Sequence, residues 1–127
     1  MDGESTTVYD AVGGQAFFDA LVHRFYVAVE ADPELRPIYP DDLGPSERHL
    51  ALFLGQYWGG PTTYSEERGH PRLRMRHAPF RVGRAERDAW LRHLAESVAA
   101  SGVSDEIAGR LLDYFTMSAE HMINSPG

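Results

Sequence analysis

The side chain with the clearest chemical potential in this sequence is a histidine at the end of a short basic segment. The segment is Met75-Arg76-His77-Ala78-Pro79-Phe80. Pro79 stops any helix after Ala78, because proline disfavours helical geometry in the residue before it. Apolar helical patterns lie on both sides of His77, and one imidazole in such a setting could form the axial bond that a haem iron requires. A lone histidine is more commonly a surface or core residue, so the surrounding sequence must decide between these interpretations.

Composition excludes several other kinds of site. The chain has 127 residues and no cysteine, which excludes disulfides, thiolate catalysis, iron–sulfur clusters and a thiolate haem ligand. Conventional covalent haem attachment needs a Cys-x-x-Cys-His motif, so a haem in this protein would be haem b. The formal net charge of −7 argues against nucleic-acid binding, which depends on positive charge.

Length and hydropathy predict one domain without a membrane span. A chain of 127 residues is long enough for one hydrophobic core and too short for two. No stretch approaches the roughly 18 apolar residues of a membrane helix. The N-terminus is acidic and polar and lacks the features of a secretory signal. We therefore expect a cytoplasmic protein with a single domain over residues 1–127, of which residues 1–7 are flexible.

Positive charge is concentrated around the candidate histidine. The arginines of this stretch are Arg68, Arg72, Arg74, Arg76, Arg81, Arg84 and Arg87. Such a run is commonly a solvated face. Haem carries two propionate groups, however, and an arginine beside them would form charge-assisted hydrogen bonds. The sequence leaves both interpretations open.

Hydrophobic periodicity predicts an all-α fold. Apolar residues repeat every three to four positions in long segments over 14–31, 46–58, 83–100 and from 104 to about 123. Shorter helices are predicted over 8–12, after Asp32-Pro33 and over 71–77, whereas 61–70 is predicted to be a polar loop. Ser46 and Ser104 are candidate N-caps, and Tyr57 is predicted to lie in the buried stripe of its helix.

Several local motifs together resemble a known family. They are Tyr9-Asp10-Ala11-Val12-Gly13-Gly14, Arg24-Phe25-Tyr26, Tyr39-Pro40, Gln56-Tyr57-Trp58-Gly59-Gly60-Pro61, the run from His70 to Phe80, and Glu86-Arg87-Asp88-Ala89-Trp90-Leu91. From about Tyr9 to its C-terminus, the chain resembles the truncated haemoglobins of group II. The resemblance implies a truncated globin, in which a two-over-two sandwich of helices surrounds haem.

The resemblance also implies the residues of the proximal side. His77 would be the only protein ligand of the iron, with His70 as the other histidine that could take this place. Phe80 is expected to pack against the haem. Arg76 is expected to meet a propionate because it adjoins the ligand, with solvent exposure as the alternative.

On the distal side the resemblance implies a ligand pocket. Its residues would be Tyr26, Tyr39, Ser46, Leu50 and Trp90. The two phenols and the indole would donate hydrogen bonds to a diatomic ligand that gains negative charge on binding. For Tyr26 the alternative is ordinary core packing with a satisfied hydroxyl.

Four further roles complete the expected cofactor site. Phe53 and Tyr64 are expected to contact the haem. Ser46 is small, so it leaves an opening and cannot bind the iron. His49 lies one turn further along and could face a propionate, although a long basic side chain is commoner there in the family.

Three functions are compatible with these residues. The first is a haem protein that binds dioxygen, carbon monoxide and nitric oxide and releases dioxygen slowly. The second is a haem redox enzyme that acts on nitric oxide or peroxide. It would depend on a separate reductase, since the chain has no Gly-x-Gly-x-x-Gly fingerprint. The third is a helical interaction module without a cofactor. A homodimer is compatible with all three.

Overall fold

Helices form all of the regular structure in the part of the chain that the structure describes. The computed structural model describes residues 7–70 and 82–124. Its helices are α1 (Val8–Ala11), α2 (Gln15–Glu30), a 3-10 helix (Arg36–Ile38), α3 (Gly44–Tyr57), α4 (Thr63–Arg68), α5 (Arg84–Ala100) and α6 (Asp105–Met122). No strand occurs in these two ranges, and the predicted all-α fold is confirmed. None of the described helices is long and apolar enough to cross a membrane.

The long helices are arranged in two packed pairs. α2 packs against α3, α5 packs against α6, and contacts between α2 and α5 join the pairs. Side chains with no exposed surface fill the space between them. These are Phe18, Leu21, Val22 and Val29 of α2, together with Leu35, Val82 and Leu111. The arrangement is the two-over-two sandwich that the sequence predicts.

α2 forms because one of its faces is continuously apolar. Phe18, Leu21, Phe25 and Val29 are buried and follow the spacing of a single helix face. Gly14 precedes the helix with φ of +85°, a conformation that side chains with a Cβ rarely adopt. The burial of this stripe fixes which residues of α2 turn toward the centre of the molecule.

The end of α3 depends on two glycines. Gly59 has φ of +113° and ends the helix. A Cβ on Gly60 would lie 2.3 Å from Cε1 of Tyr9, so only glycine allows this approach. The amide of Tyr9 donates to the carbonyl of Trp58 at 3.0 Å, and the turn thereby attaches α1 to the end of α3.

The helix α4 corrects the prediction of a polar loop over 61–70. Gln56 and Ser65 exchange two hydrogen bonds, with Gln56 Nε2 donating at 2.6 Å and Gln56 Oε1 accepting from the Ser65 amide at 3.0 Å. Tyr64 is buried and its ring packs edge-on against Phe53, at 5.4 Å between centroids. Tertiary contacts with α3 therefore stabilise a helix whose own sequence is mostly polar.

Two details of α3 also differ from the prediction. The helix begins at Gly44, after Leu43 at the N-cap, so Ser46 lies inside the first turn and is not the cap. Tyr57 is 49% exposed and does not belong to the buried stripe. The predicted cap at Ser104 is confirmed, since its side chain accepts from the amide of Ile107.

The predicted short helix over 71–77 lies outside the described residues. The described chain continues at Val82, which is fully buried. Val82 exchanges two hydrogen bonds of 2.8 Å with Asn124, one through the Asn124 amide and one through its side-chain oxygen. The end of α6 thus holds the start of α5.

Candidate functional site

A cavity of about 300 Å³ lies among α2, α3, α4, α5 and α6. Most of its lining side chains are apolar or aromatic. The predicted site residues in the described ranges that line it are Tyr26, Tyr39, Ser46, His49, Leu50, Phe53, Tyr64 and Trp90. His70, the alternative ligand, is exposed and does not line it. His77, Arg76 and Phe80 lie outside the described residues. The fold therefore gathers into one cavity side chains that the sequence places up to 64 positions apart.

Three of these side chains form a polar group, which we name the donor cluster: Tyr26, Tyr39 and Trp90. Tyr26 is on α2, Trp90 is on α5, and Tyr39 directly follows the 3-10 helix. Trp90 Nε1 donates to the Tyr39 hydroxyl at 2.9 Å. The rings of Tyr26 and Tyr39 meet edge to face at 5.5 Å between centroids. Two long helices and one connecting segment therefore bring these three polar side chains together.

Both phenols of the donor cluster keep their protons at ordinary pH. Burial raises the pKa of Tyr39 to about 12, although the interactions with Trp90 and Tyr26 act in the opposite direction. Burial, followed by the proximity of Tyr39 and of the Glu47 charge, raises the pKa of Tyr26 well above its usual value. The cluster is therefore a set of neutral hydrogen-bond donors.

The hydrogen bonds of the cluster determine where its protons point. An indole N–H can only donate, so the Tyr39 oxygen accepts from Trp90. The Tyr26 and Tyr39 hydroxyls also interact, since each affects the pKa of the other. Because its oxygen accepts from Trp90, the Tyr39 hydroxyl has its own proton to donate.

A second group of aromatic residues, which we name the ring cluster, consists of Phe53, Tyr57, Tyr64 and Tyr114. Phe53 packs against Tyr64 and, at 6.2 Å between centroids, against Tyr57. Tyr57 in turn packs against Tyr114 at 4.1 Å. Phe53, Tyr64 and Tyr114 line the cavity, so rings from α3, α4 and α6 form a continuous apolar wall.

Tyr114 is a lining residue that sequence reasoning missed. It lines the cavity together with Ser118 and Met122, at i, i+4 and i+8 on α6. This spacing puts all three on one helix face. The same spacing in the sequence was the signal that could have identified them. Phe115 and Ala119 are also buried and line the same cavity.

Two basic side chains, His49 and Arg68, contribute to the lining. His49 is half-buried on α3, and Arg68 is exposed at the end of α4. Next to His49 on α3, Glu47 lies 3.0 Å from His23 of α2, between Oε2 and Nδ1. Ser46 lies beside this pair. The start of α3 therefore combines a small residue with charged groups close to solvent.

These observations fit haem. A flat apolar ring system suits a cavity with aromatic walls, the propionates suit the basic residues, and a polar diatomic ligand suits the donor cluster. Comparison with known proteins agrees with this fit, since the profile of the bacterial-like globins matches residues 7–124.

The chain belongs to the bacterial-like globin family. It is 40% identical to the group 2 truncated hemoglobin of Bacillus subtilis, over 91% of this chain and 87% of that protein. A thermostable hemoglobin of the actinobacterium Thermobifida fusca superimposes with a TM-score of 0.92 at 52% identity, covering 96% of this chain and 100% of the other. The truncated oxygen-avid haemoglobin of Bacillus subtilis superimposes with a TM-score of 0.88 at 39% identity, over 94% and 100%.

Membership of this family decides between a haem protein and a helical module without a cofactor, a choice that the sequence left open. The resemblance to group II truncated haemoglobins is confirmed, and membership of the globins implies a haem protein that binds diatomic gases. The hypothesis of a helical module without a cofactor is therefore set aside for this globin. The roles of individual site residues stay predictions.

Proposed function

We propose that this globin binds haem b and retains dioxygen through the donor cluster, so that dioxygen is released slowly. The observation that carries this proposal is the hydrogen bond from Trp90 to Tyr39, inside a mostly apolar cavity. The structural similarity to the truncated oxygen-avid haemoglobin of Bacillus subtilis supports the same proposal.

Haem supplies, when bound, an iron position at which a diatomic ligand can coordinate. His77 would hold the iron from the proximal side, with Phe80 packed against the ring and Arg76 near a propionate. His49 and Arg68 are the basic residues of the described lining that would meet propionates. Leu50, Phe53 and Tyr64 would pack against the ring from the apolar wall.

The chain's own contribution to gas binding lies in the donor cluster. Tyr39 would donate its proton to a ligand with partial negative charge, while Trp90 orients its oxygen. A hydrogen bond to a charged group is worth about 1.5–3 kcal/mol, and burial excludes the water that would compete for it. Carbon monoxide is a poor acceptor and would gain little from the same proton.

Ser46 would act by its size. It lines the cavity near the His23–Glu47 contact, where the start of α3 approaches solvent. A serine fills little space there, so ligands would enter between α2 and α3. We propose that this position controls the rate of entry more than the final affinity.

Redox turnover is the alternative function, because donors that hold dioxygen also assist reactions of nitric oxide or peroxide. Turnover would require electrons from a separate reductase. A cytoplasmic location, a single domain and a homodimer stay predictions alongside it.

The first experiment is a visible absorption spectrum followed by stopped-flow dissociation of dioxygen. A Soret band and slow dissociation are expected. A spectrum that stays that of free haem after haem is supplied would contradict haem binding, and rapid dissociation would contradict the donor role. Steady consumption of nitric oxide with a reductant would favour the redox alternative.

A further inference from the structure

Arg36 forms a network of contacts around the backbone that carries Tyr39. Its Nη1 donates to the carbonyls of Tyr39 at 3.3 Å and Pro40 at 2.9 Å. Its Nη2 donates to the carbonyl of Asp41 at 2.8 Å, and its Nε donates to Glu30 at 3.2 Å. A guanidinium offers five donors in a rigid plane. One side chain therefore fixes three consecutive carbonyls.

The segment after Tyr39 depends on this arrangement because regular structure ends there. The last backbone bond of the 3-10 helix runs from the Tyr39 amide to the Arg36 carbonyl at 3.2 Å. Tyr39 itself is extended, with φ of −106° and ψ of +155°. Pro40 has no amide proton to donate. Arg36 thus supplies side-chain hydrogen bonds where the backbone has left its helix.

The start of the segment that leads to Tyr39 is held by contacts of Asp32. Asp32 accepts from His93 Nε2 at 2.7 Å and from the amide of Glu34 at 2.8 Å. His93 is one helical turn beyond Trp90 on α5. The contact with His93 therefore fixes the beginning of the segment to the helix that carries the indole. Arg36 then determines the path from this anchor to the phenol.

We propose that Arg36 is a positioning residue that holds the Tyr39 hydroxyl at hydrogen-bond distance from Trp90. The inference rests on the proposed function of the donor cluster and assigns to Arg36 the control of its geometry. A hydrogen bond weakens steeply as its distance and angle depart from the optimum. Small displacements of residues 39–41 would therefore reduce both the contact with Trp90 and the donation to a ligand.

The ion pair between Arg36 and Glu30 does not explain how the backbone of residues 39–41 is held. The Glu30 side chain is 63% exposed, whereas that of Arg36 is 23% exposed. Exposed ion pairs contribute little to stability because water and salt screen them. The three carbonyl contacts are consequently the part of the network that controls Tyr39.

The test compares Arg36→Met, Arg36→Lys and Glu30→Ala in the haem-loaded protein. We expect Arg36→Met to accelerate dioxygen dissociation by roughly three- to ten-fold, because it weakens one charge-assisted hydrogen bond without deleting the donor. Arg36→Lys should behave like Arg36→Met, since one ammonium cannot span three carbonyls. Glu30→Ala, the matched control, removes the ion pair alone and should stay near the wild-type rate. Wild-type kinetics in Arg36→Lys would show that charge alone is needed and would overturn the proposal.

A double-mutant cycle then separates positioning from general destabilisation. In a Tyr39→Phe background, Arg36→Met should produce no further acceleration, because the hydroxyl that it positions is absent. An equal acceleration in both backgrounds would overturn the proposal. Carbon monoxide dissociation should stay within about two-fold in all variants, because that ligand gains little from a donor.

A readout that does not depend on dioxygen is the indole N–H resonance of Trp90 in the diamagnetic carbon monoxide form. The chain has two tryptophans, so Trp90→Phe assigns the signal by its loss. Arg36→Met should shift the resonance upfield as the bond to Tyr39 weakens, while Glu30→Ala should leave it in place. An unmoved resonance in Arg36→Met overturns the inference. A shifted resonance with unchanged dioxygen kinetics supports the positioning role and contradicts the proposed function instead.

Discussion

The donor cluster and the ring cluster line the same cavity but are held by different forces. Tyr39 and Trp90 are joined by one directional contact of 2.9 Å. The ring cluster distributes its energy over several aromatic contacts, with centroids 4.1 to 6.2 Å apart. A hydrogen bond tolerates little displacement, whereas ring packing tolerates more. Changes in the donor cluster should therefore alter ligand release, and changes in the ring cluster should alter cofactor retention and stability.

The largest expected effect comes from His77→Gly, which tests whether the clusters alone can retain the cofactor. The variant lacks the proposed bond to iron but keeps the apolar wall. We expect a lower haem-to-protein ratio, and added imidazole should refill the proximal position. Absorption spectra of the ferrous protein with and without imidazole provide the measurement. Spectra identical to wild type would assign the ligand to another residue, such as His70.

Trp90→Phe tests whether the hydrogen bond of the donor cluster controls ligand release. The substitution keeps an aromatic ring but removes the proton that Trp90 donates to Tyr39. We expect dioxygen dissociation to accelerate by roughly ten-fold or more, because Tyr39 is no longer held in place to donate to the ligand. A hydrogen bond to a charged ligand is worth about 1.5–3 kcal/mol, and each 1.4 kcal/mol is a factor of ten. Stopped-flow dissociation of dioxygen and of carbon monoxide is the measurement.

The matched control for Trp90→Phe is Tyr64→Phe in the ring cluster. This change also keeps the ring and removes a polar group, but at a position outside the donor cluster. Its dioxygen dissociation should stay within about two-fold of wild type. If both variants accelerate equally, or if Trp90→Phe affects carbon monoxide as strongly as dioxygen, the indole acts by packing.

How far the sequence predicts each cluster depends on whether its contacts are local. The stripe of α2 follows directly from residues spaced three to four apart, so the burial of Phe25 and Tyr26 was predictable. The bond between Tyr39 and Trp90 joins residues 51 positions apart. Its geometry depends on the path of a connecting segment that Arg36 holds. The family resemblance placed both residues in one pocket but could not supply that path.

The errors of prediction on α3 and α4 have a common cause. Thr63–Arg68 is polar, and its helix depends on Gln56 and on the burial of Tyr64 against Phe53. Tyr57 was assigned to the core from periodicity, yet it packs against Tyr114 at the surface. In both places a tertiary contact overrides the local pattern, which periodicity alone does not detect.

Ser46→Phe tests the route of ligand entry, which neither cluster is expected to control. A bulky ring at Ser46 should slow association of carbon monoxide several-fold with a modest change in equilibrium affinity, because a barrier at an entrance affects both directions. Flash photolysis gives the association rate, and Ser46→Ala is the control of similar size. Unchanged or faster association in Ser46→Phe would place the entry route elsewhere.

The expected effect on folding, as opposed to ligand kinetics, is a difference in alkaline stability between wild type and Tyr39→Phe. The pKa of Tyr39 is raised to about 12 in the folded chain, compared with about 10 for an unfolded tyrosine. Below pH 10 both states keep the proton and the stabilisation is fully present. Between pH 10 and 12 the unfolded chain loses its proton first, so the free energy of unfolding falls by up to about 1.4 kcal/mol per pH unit for this group.

Tyr26 contributes in the same direction in both proteins, so denaturant unfolding across this window should show a shallower fall in Tyr39→Phe. Equal slopes would mean that the Tyr39 hydroxyl is not held as a buried neutral donor. The donor cluster would then lack the directional contact that distinguishes it from the ring cluster.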